Sequence, residues 1–205
     1  MDEEMVLIDA ARQGDLEAFN MIIMHYQGFL FNIALRMMGN EDCAADALQD
    51  ALLSAFRKFN SFRGGSLRSW LARVVINACY DELRRQCRHP LLLLDQIDTR
   101  EDEIEIDDWL VDPVPGLEEQ IETLELDGAI QAGLRSLAPL YAAMLVLVDI
   151  QGMTYEEAAV AAQIPVGTVK SRLARARMQM RQALQPYEEP FCVSYQVGFS
   201  VSMKV

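Results

Sequence analysis

Histidine and cysteine are scarce in this chain of 205 residues, with two and four copies. Cys43, Cys79, Cys87 and Cys192 show no close pairing. Cys79 and Cys87 fall eight residues apart on one predicted helix. That is roughly 12 Å by helical rise, too far for a disulfide. They read as buried thiols rather than zinc ligands. His25 and His89 add no ligand spacing, and the Asp107-Asp108 pair lacks the glycine and ligand order of a calcium loop. No metal and no cofactor is expected. No apolar run approaches the roughly 20 residues that span a bilayer. The acidic opening, MDEEMVLIDA, lacks the basic-then-apolar pattern of a signal peptide. A cytoplasmic chain without membrane insertion is expected. Gly-rich phosphate loops and nucleophile–base pairs are also missing, so no catalytic residue is assigned.

Cations are short as well. There are 18 against 31 carboxylates, a net charge of −13. That balance argues against nucleic acid until its distribution is examined. Residues 91–127 hold 14 carboxylates and one cation, Arg100. Residues 1–90 are net −2 and residues 128–205 net +2. The negative excess lies in one segment, and the flanks carry local basic patches.

The most informative stretch is TYEEAAVAAQIPVGTVKSRLARARMQMR, residues 154–181. Thr154 and Glu157 have capping-box spacing, which predicts a helix start. Ala158, Ala159 and Ala162 keep that helix small on its buried side. Gln163 to Pro165 form a turn, and Pro165 suits the start of a second helix. Val166, Val169 and Leu173 point inward at spacings of three and four. Lys170, Arg172, Arg175, Arg177 and Arg181 have no carboxylate among them. A helix packed on one side and basic elsewhere is what a major-groove reader requires. A solvated basic face is the plainer alternative.

Along the chain, residues 4–12 predict a short helix, ended near Gly14. Asp15 is the expected N-cap of a long helix with an apolar face of Leu16, Phe19, Ile22, Ile23, Tyr26, Phe29, Leu30, Ile33 and Ala34. Gly39 stops it, and Asn40 caps the next helix. That helix buries Ala44, Ala47, Leu48, Ala51, Leu52, Ala55 and Phe56. It shows Asp42, Asp46, Gln49 and Asp50, either as solvated surface or as a docking face. FNSFRGG, residues 59–65, is a loop signal, and Ser66 caps a helix to Arg88. Leu67, Trp70, Leu71, Val74, Val75 and Ala78 form its stripe. Arg68, Arg73, Asn77, Arg84 and Arg85 project elsewhere, with Asp81 and Arg85 spaced for an ion pair. Trp70 reads as core. Phe62, in a polar loop, reads as free to stack on an unpaired base.

His89-Pro90 ends this unit. Residues 91–116 predict an acidic linker, extended or partly disordered. Helices follow over 117–135 and Leu137–Val148, the latter started by Pro139 and closed by Gly152. Pro186 ends the last helix. In the tail, Val193, Tyr195, Val197, Phe199, Val201, Met203 and Val205 alternate with smaller or polar residues, a strand pattern. It can pack on the C-terminal domain, pair with a copy of itself, meet a partner's sheet edge, or stay disordered.

The expected fold is all-α: two small helical domains, residues 1–90 and 117–186, joined by an acidic linker and followed by a short strand-like C-terminal tail. Taken in order, these pieces resemble a compact sigma factor of bacterial RNA polymerase, of the extracytoplasmic-function branch of the sigma-70 family. AFNMIIMHYQGFLFNIALRMMGNEDCAADALQDALLSAFRKF is similar to sigma region two. FRGGSLRSWLARVVINACYDELRR is similar to the part that reads and opens the −10 element. LAPLYAAMLVLVDIQGMTYEEAAVAAQIPVGTVKSRLARARMQMRQAL resembles region four, which reads the −35 element. The likeness spans about residues 5–186. It implies core RNA polymerase and promoter DNA as partners, and an anti-sigma protein as a regulator.

Residue by residue, the resemblance implies that Asp46, Gln49 and Asp50 dock on polymerase. Phe62, Arg63, Gly64 and Ser66 would hold a flipped −10 base. Arg73, Asn77, Arg84 and Arg85 would line the adjacent DNA. Thr168, Lys170, Ser171, Arg172 and Arg175 would face the −35 groove. The acidic linker would follow the polymerase's RNA path as an RNA mimic. Three departures from the resemblance stand out: the extra tail, the unusual acidity of the linker, and the absence of a usual arginine after Tyr141. Two rivals are a helix-turn-helix regulator and a polymerase-binding adaptor. A phosphoacceptor domain of alternating strands and helices, as a regulator would carry, does not fit residues 15–88.

Overall fold

The structure is a computed structural model that describes residues 2–88 and 117–185, with side chains described over 4–87 and 126–185. The linker and the strand-patterned tail lie outside the described residues. Among those described, every regular element is helical: α1 Asp2–Arg12, α2 Leu16–Met38, α3 Glu41–Lys58, a 3₁₀ turn Phe59–Ser61, α4 Leu67–Arg88, α5 Leu117–Ser136, α6 Pro139–Leu145, a π-helical turn Val146–Ile150, α7 Tyr155–Ala162 and α8 Val166–Leu184.

Local chemistry sets the boundaries. The Asp15 carboxylate accepts from the Glu17 and Ala18 amides at 2.9 and 3.1 Å, which satisfies two free N–H groups at the start of α2. Gly39 ends α2 at φ 70°, and its N–H returns to Leu35 O. Asn40 caps α3 through the Cys43 amide. At α7 the capping box is complete: Glu157 N–H reaches Thr154 Oγ1 at 3.2 Å and Thr154 N–H reaches Glu157 Oε2 at 2.9 Å.

In the first unit, α2, α3 and α4 bury facing stripes. Phe19, Ile22, Leu30, Ile33, Ala44, Ala47, Ala51 and Ala55 are all buried. Tyr26, Phe29, Leu52 and Phe56 are half-buried at the edges of these stripes, and Leu16, in the first turn of α2 ahead of the packed stretch, is 55% exposed. Phe59 is fully buried among Phe19, Trp70 and Phe62, with centroids 5.5, 5.6 and 6.2 Å away. Phe62 is therefore core rather than a free loop aromatic, at 4% exposure. Arg12 holds it: the guanidinium lies 5.5 Å from the ring centroid and donates from Nε and Nη2 to Phe62 O at 3.0 and 2.5 Å.

The second unit stacks α6, the π turn, α7 and α8. Its buried residues include Met144, Val146, Leu147, Ala158, Val169, Leu173 and Ala176. Gly133 in α5 has no Cβ where the Met180 thioether of α8 would stand 2.7 Å from one, so a side chain there would require the methionine to move aside.

The two units do not keep separate cores. Their buried residues form one continuous cluster. Helix α4 packs on α2 and α3 on one side and on α7 on another, while α5 and α6 lie against α2. Ala72, Ile76 and Cys79 are buried although they lie off the apolar stripe read from α4's own sequence. Burial pushes the Cys79 thiol up to about 12.

Phe59→Ala should cost about 3–5 kcal/mol, as a fully buried aromatic truncated in a packed cluster does. A urea unfolding midpoint would measure it.

Candidate nucleic-acid and polymerase interface

Three surfaces carry the polar side chains singled out above. The first is the outer face of α3. Asp42, Asp46, Gln49 and Asp50 are set there, opposite the buried alanines; Asp46, Gln49 and Asp50 stand in solvent. Asp50 Oδ2 receives Arg85 Nη2 at 3.5 Å, and Arg85 Nε reaches Glu82 at 3.1 Å. Both members of the Asp50–Arg85 pair are over 60% exposed, so water screens them and either is free to exchange partners. Asp81 pairs with Arg84 at 2.9 Å, not with Arg85 as its spacing predicted. Arg85 is taken instead by Asp50 and Glu82.

The second surface is the start of α4 and the groove along it. Gly64 and Gly65 take φ of 97° and 90°, left-handed values that glycine adopts without strain. They turn the chain so that Ser66 Oγ accepts from the Ser69 amide at 3.2 Å and caps α4. Arg63, Gly64 and Ser66 are exposed beside the buried Phe62. Further on, Arg73 and Asn77 line a groove with Arg85, Ser54 and, from the second unit, Gln163. Arg73 is half-buried and Asn77 exposed.

The third is α8. Lys170, Ser171 and Arg175 are exposed, and Thr168 and Arg172 half-buried. Ser171 Oγ donates to Thr168 O at 3.1 Å. Lys170 Nζ sits 5.8 Å from the Tyr155 ring centroid. Arg172 lies close enough to Tyr80 of α4 that its charge offsets part of the rise that burial causes in the tyrosine's pKa. Arg177 is not free: it forms a two-pronged pair with Asp149, Nε to Oδ2 at 2.9 Å and Nη2 to Oδ1 at 2.6 Å. Charge counting along α8 missed this. The available signal was that Asp149 is the sole acid over residues 128–155.

A polar clamp joins the two units. Arg36 Nη2 meets Asp127 at 2.5 Å, Gln131 Nε2 donates to Arg36 O at 3.1 Å, and Arg135 donates to Gly39 O. Arg68 donates to Gln151 O at 2.6 Å while lying over the Phe29 ring at 4.4 Å. None of the hydrogen bonds between the units shows in the sequence, because all join positions more than 80 residues apart. Among the described residues no cluster of metal-ligating side chains occurs, and no helix is long and apolar enough to cross a membrane.

Two family descriptions match the units just described: Sigma-70 region 2 over residues 22–89, and Sigma-70 region 4 over residues 127–180. The chain is 30% identical to the RNA polymerase sigma-H factor of Pseudomonas aeruginosa over 187 residues, 90% of this chain and 95% of that protein. It is 36% identical to the ECF RNA polymerase sigma factor SigM of Mycobacterium tuberculosis over 179 residues, 87% and 83% of the two chains. The chain belongs to the extracytoplasmic-function branch of the sigma-70 family. It is an RNA polymerase sigma factor that directs promoter-specific initiation, a regulatory subunit that recognises DNA. The fold agrees with solved relatives. The sigma factor RpoE from Bartonella quintana, in complex with the anti-sigma factor NepR, matches with a TM-score of 0.60 at 25% identity, covering 83% of this chain and 98% of that one. CnrH in complex with the cytosolic domain of CnrY matches in fold with a TM-score of 0.61 at 22% identity, covering 90% and 99%.

Replacing Gln131 and Arg135 of the sigma factor with alanine should loosen the clamp while leaving the helices intact. Energy transfer between dyes on Arg57→Cys and Arg181→Cys, with the native cysteines replaced, should report a longer mean distance and an unchanged far-ultraviolet dichroism.

Proposed function

We propose that the sigma factor divides its work between two units, residues 1–90 for polymerase and the −10 element and residues 117–186 for the −35 element. The observation that carries this reading is the face of α8. Lys170, Ser171 and Arg175 stand in solvent on a helix whose Val169, Leu173 and Ala176 are packed inward. A helix so placed in a helix-turn-helix can enter a major groove, with Thr168, Lys170, Ser171, Arg172 and Arg175 meeting bases and phosphates.

In the first unit, Asp46, Gln49 and Asp50 form the docking face for polymerase. Their exposure supports it, as does their separation from the buried face of α3. Arg63, Gly64 and Ser66 make the loop that receives an unstacked −10 base. Arg73, Asn77, Arg84 and Arg85 track the neighbouring strand. Phe62 acts here from below, by fixing the loop through its buried ring, rather than by stacking on a base. Unstacking costs a few kcal/mol per step, which contacts to the exposed bases must offset.

Promoter reading requires the two units to part. Elements centred about 25 base pairs apart lie roughly 85 Å apart on B-DNA. In the closed arrangement α4 lies on α7, Arg172 is against Tyr80, and Gln163 sits at the groove of Arg73 and Asn77. The sigma factor contributes recognition and no bond chemistry, which belongs to polymerase. It works in the cytoplasm, and an anti-sigma protein regulates it, in keeping with the NepR complex of the Bartonella quintana relative.

Run-off transcription with purified core polymerase on a pool of promoter fragments tests this reading. Discrete start sites should appear only when the sigma factor is added. Arg172→Ala with Arg175→Ala should weaken them at least tenfold, since each lost DNA contact costs about 1–3 kcal/mol. Undiminished initiation by that variant would overturn the assignment of α8.

A further inference from the structure

Five cations line α8, and Arg177 is ion-paired within the protein. Arg177 lies two helical turns beyond Lys170 on the same flank, so by position alone both would count as phosphate contacts. Instead Arg177 makes the two-pronged pair with Asp149, whose side chain is 32% exposed against 52% for the arginine. Planar pairs of this kind fix orientation as well as adding energy.

The backbone is shaped to deliver that carboxylate. Asp149 lies in the π turn, where Gln151 N–H reaches back five residues to Val146 O at 2.9 Å and Met153 N–H reaches Leu147 O at 3.0 Å. A π turn holds one residue more than an α turn, which rotates the downstream side chains by about 100°. Val146 and Leu147 stay buried while Asp149 faces α8. Tyr155 completes the arrangement, since its ring lies under Lys170 and its side chain also interacts with Arg177. Burial opposes the arginine's charge, but the bond to Asp149 outweighs it and raises the Arg177 pKa.

We propose that Asp149 is a positioning residue for promoter reading: it converts Arg177 from a DNA contact into a strut that sets the angle at which α8 presents Lys170, Ser171 and Arg175. The proposal rests on the reading of α8 as the −35 reader. Arg177 is then a protein-facing joint towards the C-terminal end of its flank, and Lys170, two turns earlier, is left to DNA. Promoter discrimination then depends on a residue that never touches DNA.

The test uses holoenzyme assembled with core polymerase and a promoter fragment recovered by run-off transcription, with its −35 element intact or scrambled. Binding is measured across a salt series. Each phosphate contact contributes about 0.9 to the slope of log K against log salt. Arg175→Gln should lower the slope by about that amount, as a phosphate contact does. Arg177→Gln should leave the slope unchanged yet reduce discrimination between intact and scrambled elements about tenfold, the worth of one mismatched base pair. Asp149→Asn, which keeps volume and one hydrogen bond, should lose discrimination similarly and steepen the slope as the freed arginine reaches phosphate. The exchange of Asp149→Arg with Arg177→Asp should recover discrimination. A slope lowered by Arg177→Gln makes Arg177 a DNA contact and overturns the proposal. So does unchanged discrimination in both single variants. If Arg175→Gln leaves the slope unchanged, the reading of α8 itself fails and the proposal falls with it.

Discussion

The packing of α4 is the constraint on which the rest depends. This helix is gripped by α2 and α3 through the aromatic cluster around Phe59, and on another side it meets α7. Its exposed positions are consequently few, and they include Asn77, Arg84 and Arg85, with Arg73 half-buried beside them. The loop before it is fixed twice, by Phe62 below and by the Arg12 guanidinium at the Phe62 carbonyl. A loop held this way presents its backbone and small side chains in one geometry, so little ordering entropy remains to be lost on binding.

The same helix explains why the two units share one core. α7 is built almost entirely from alanine on its buried side, so its backbone approaches α4 closely. Polar contacts rim the joint: Arg36, Asp127, Gln131 and Arg135 at one end, Arg68 with Gln151 at the other. Of these only Arg36–Asp127 is an ion pair; the others are side chains donating to backbone carbonyls.

Much of the fold is legible in the amino-acid order itself. The caps at Asp15, Asn40 and Thr154 and the stops at Gly39 and Gly152 follow from local hydrogen bonding, which sequence encodes directly. The stripes of α2 and α3 follow from period. Features imposed by a second element are the ones that stay hidden. The face of α4 opposite its own stripe is buried because α7 lies there. Phe62 looks free because its neighbours in sequence are polar, while its neighbours in space are Phe59, Trp70 and Arg12. Leu16 looks buried by register but precedes the contact. On α8, Lys170, Ser171 and Arg175 are exposed as the period implies. The engagement of Arg177 depends on Asp149, which a π turn carries to a place that α-helical counting does not reach.

Gln163, in the turn of the helix-turn-helix, is the one residue other than glycine with positive φ among those described, at 54°. The left-handed region costs a residue with a Cβ about 1–2 kcal/mol relative to its usual conformations, and glycine would occupy it freely. Glycine would also have no side chain to place at the groove of Arg73 and Asn77. The turn therefore trades local backbone comfort for an amide that reaches across to the first unit.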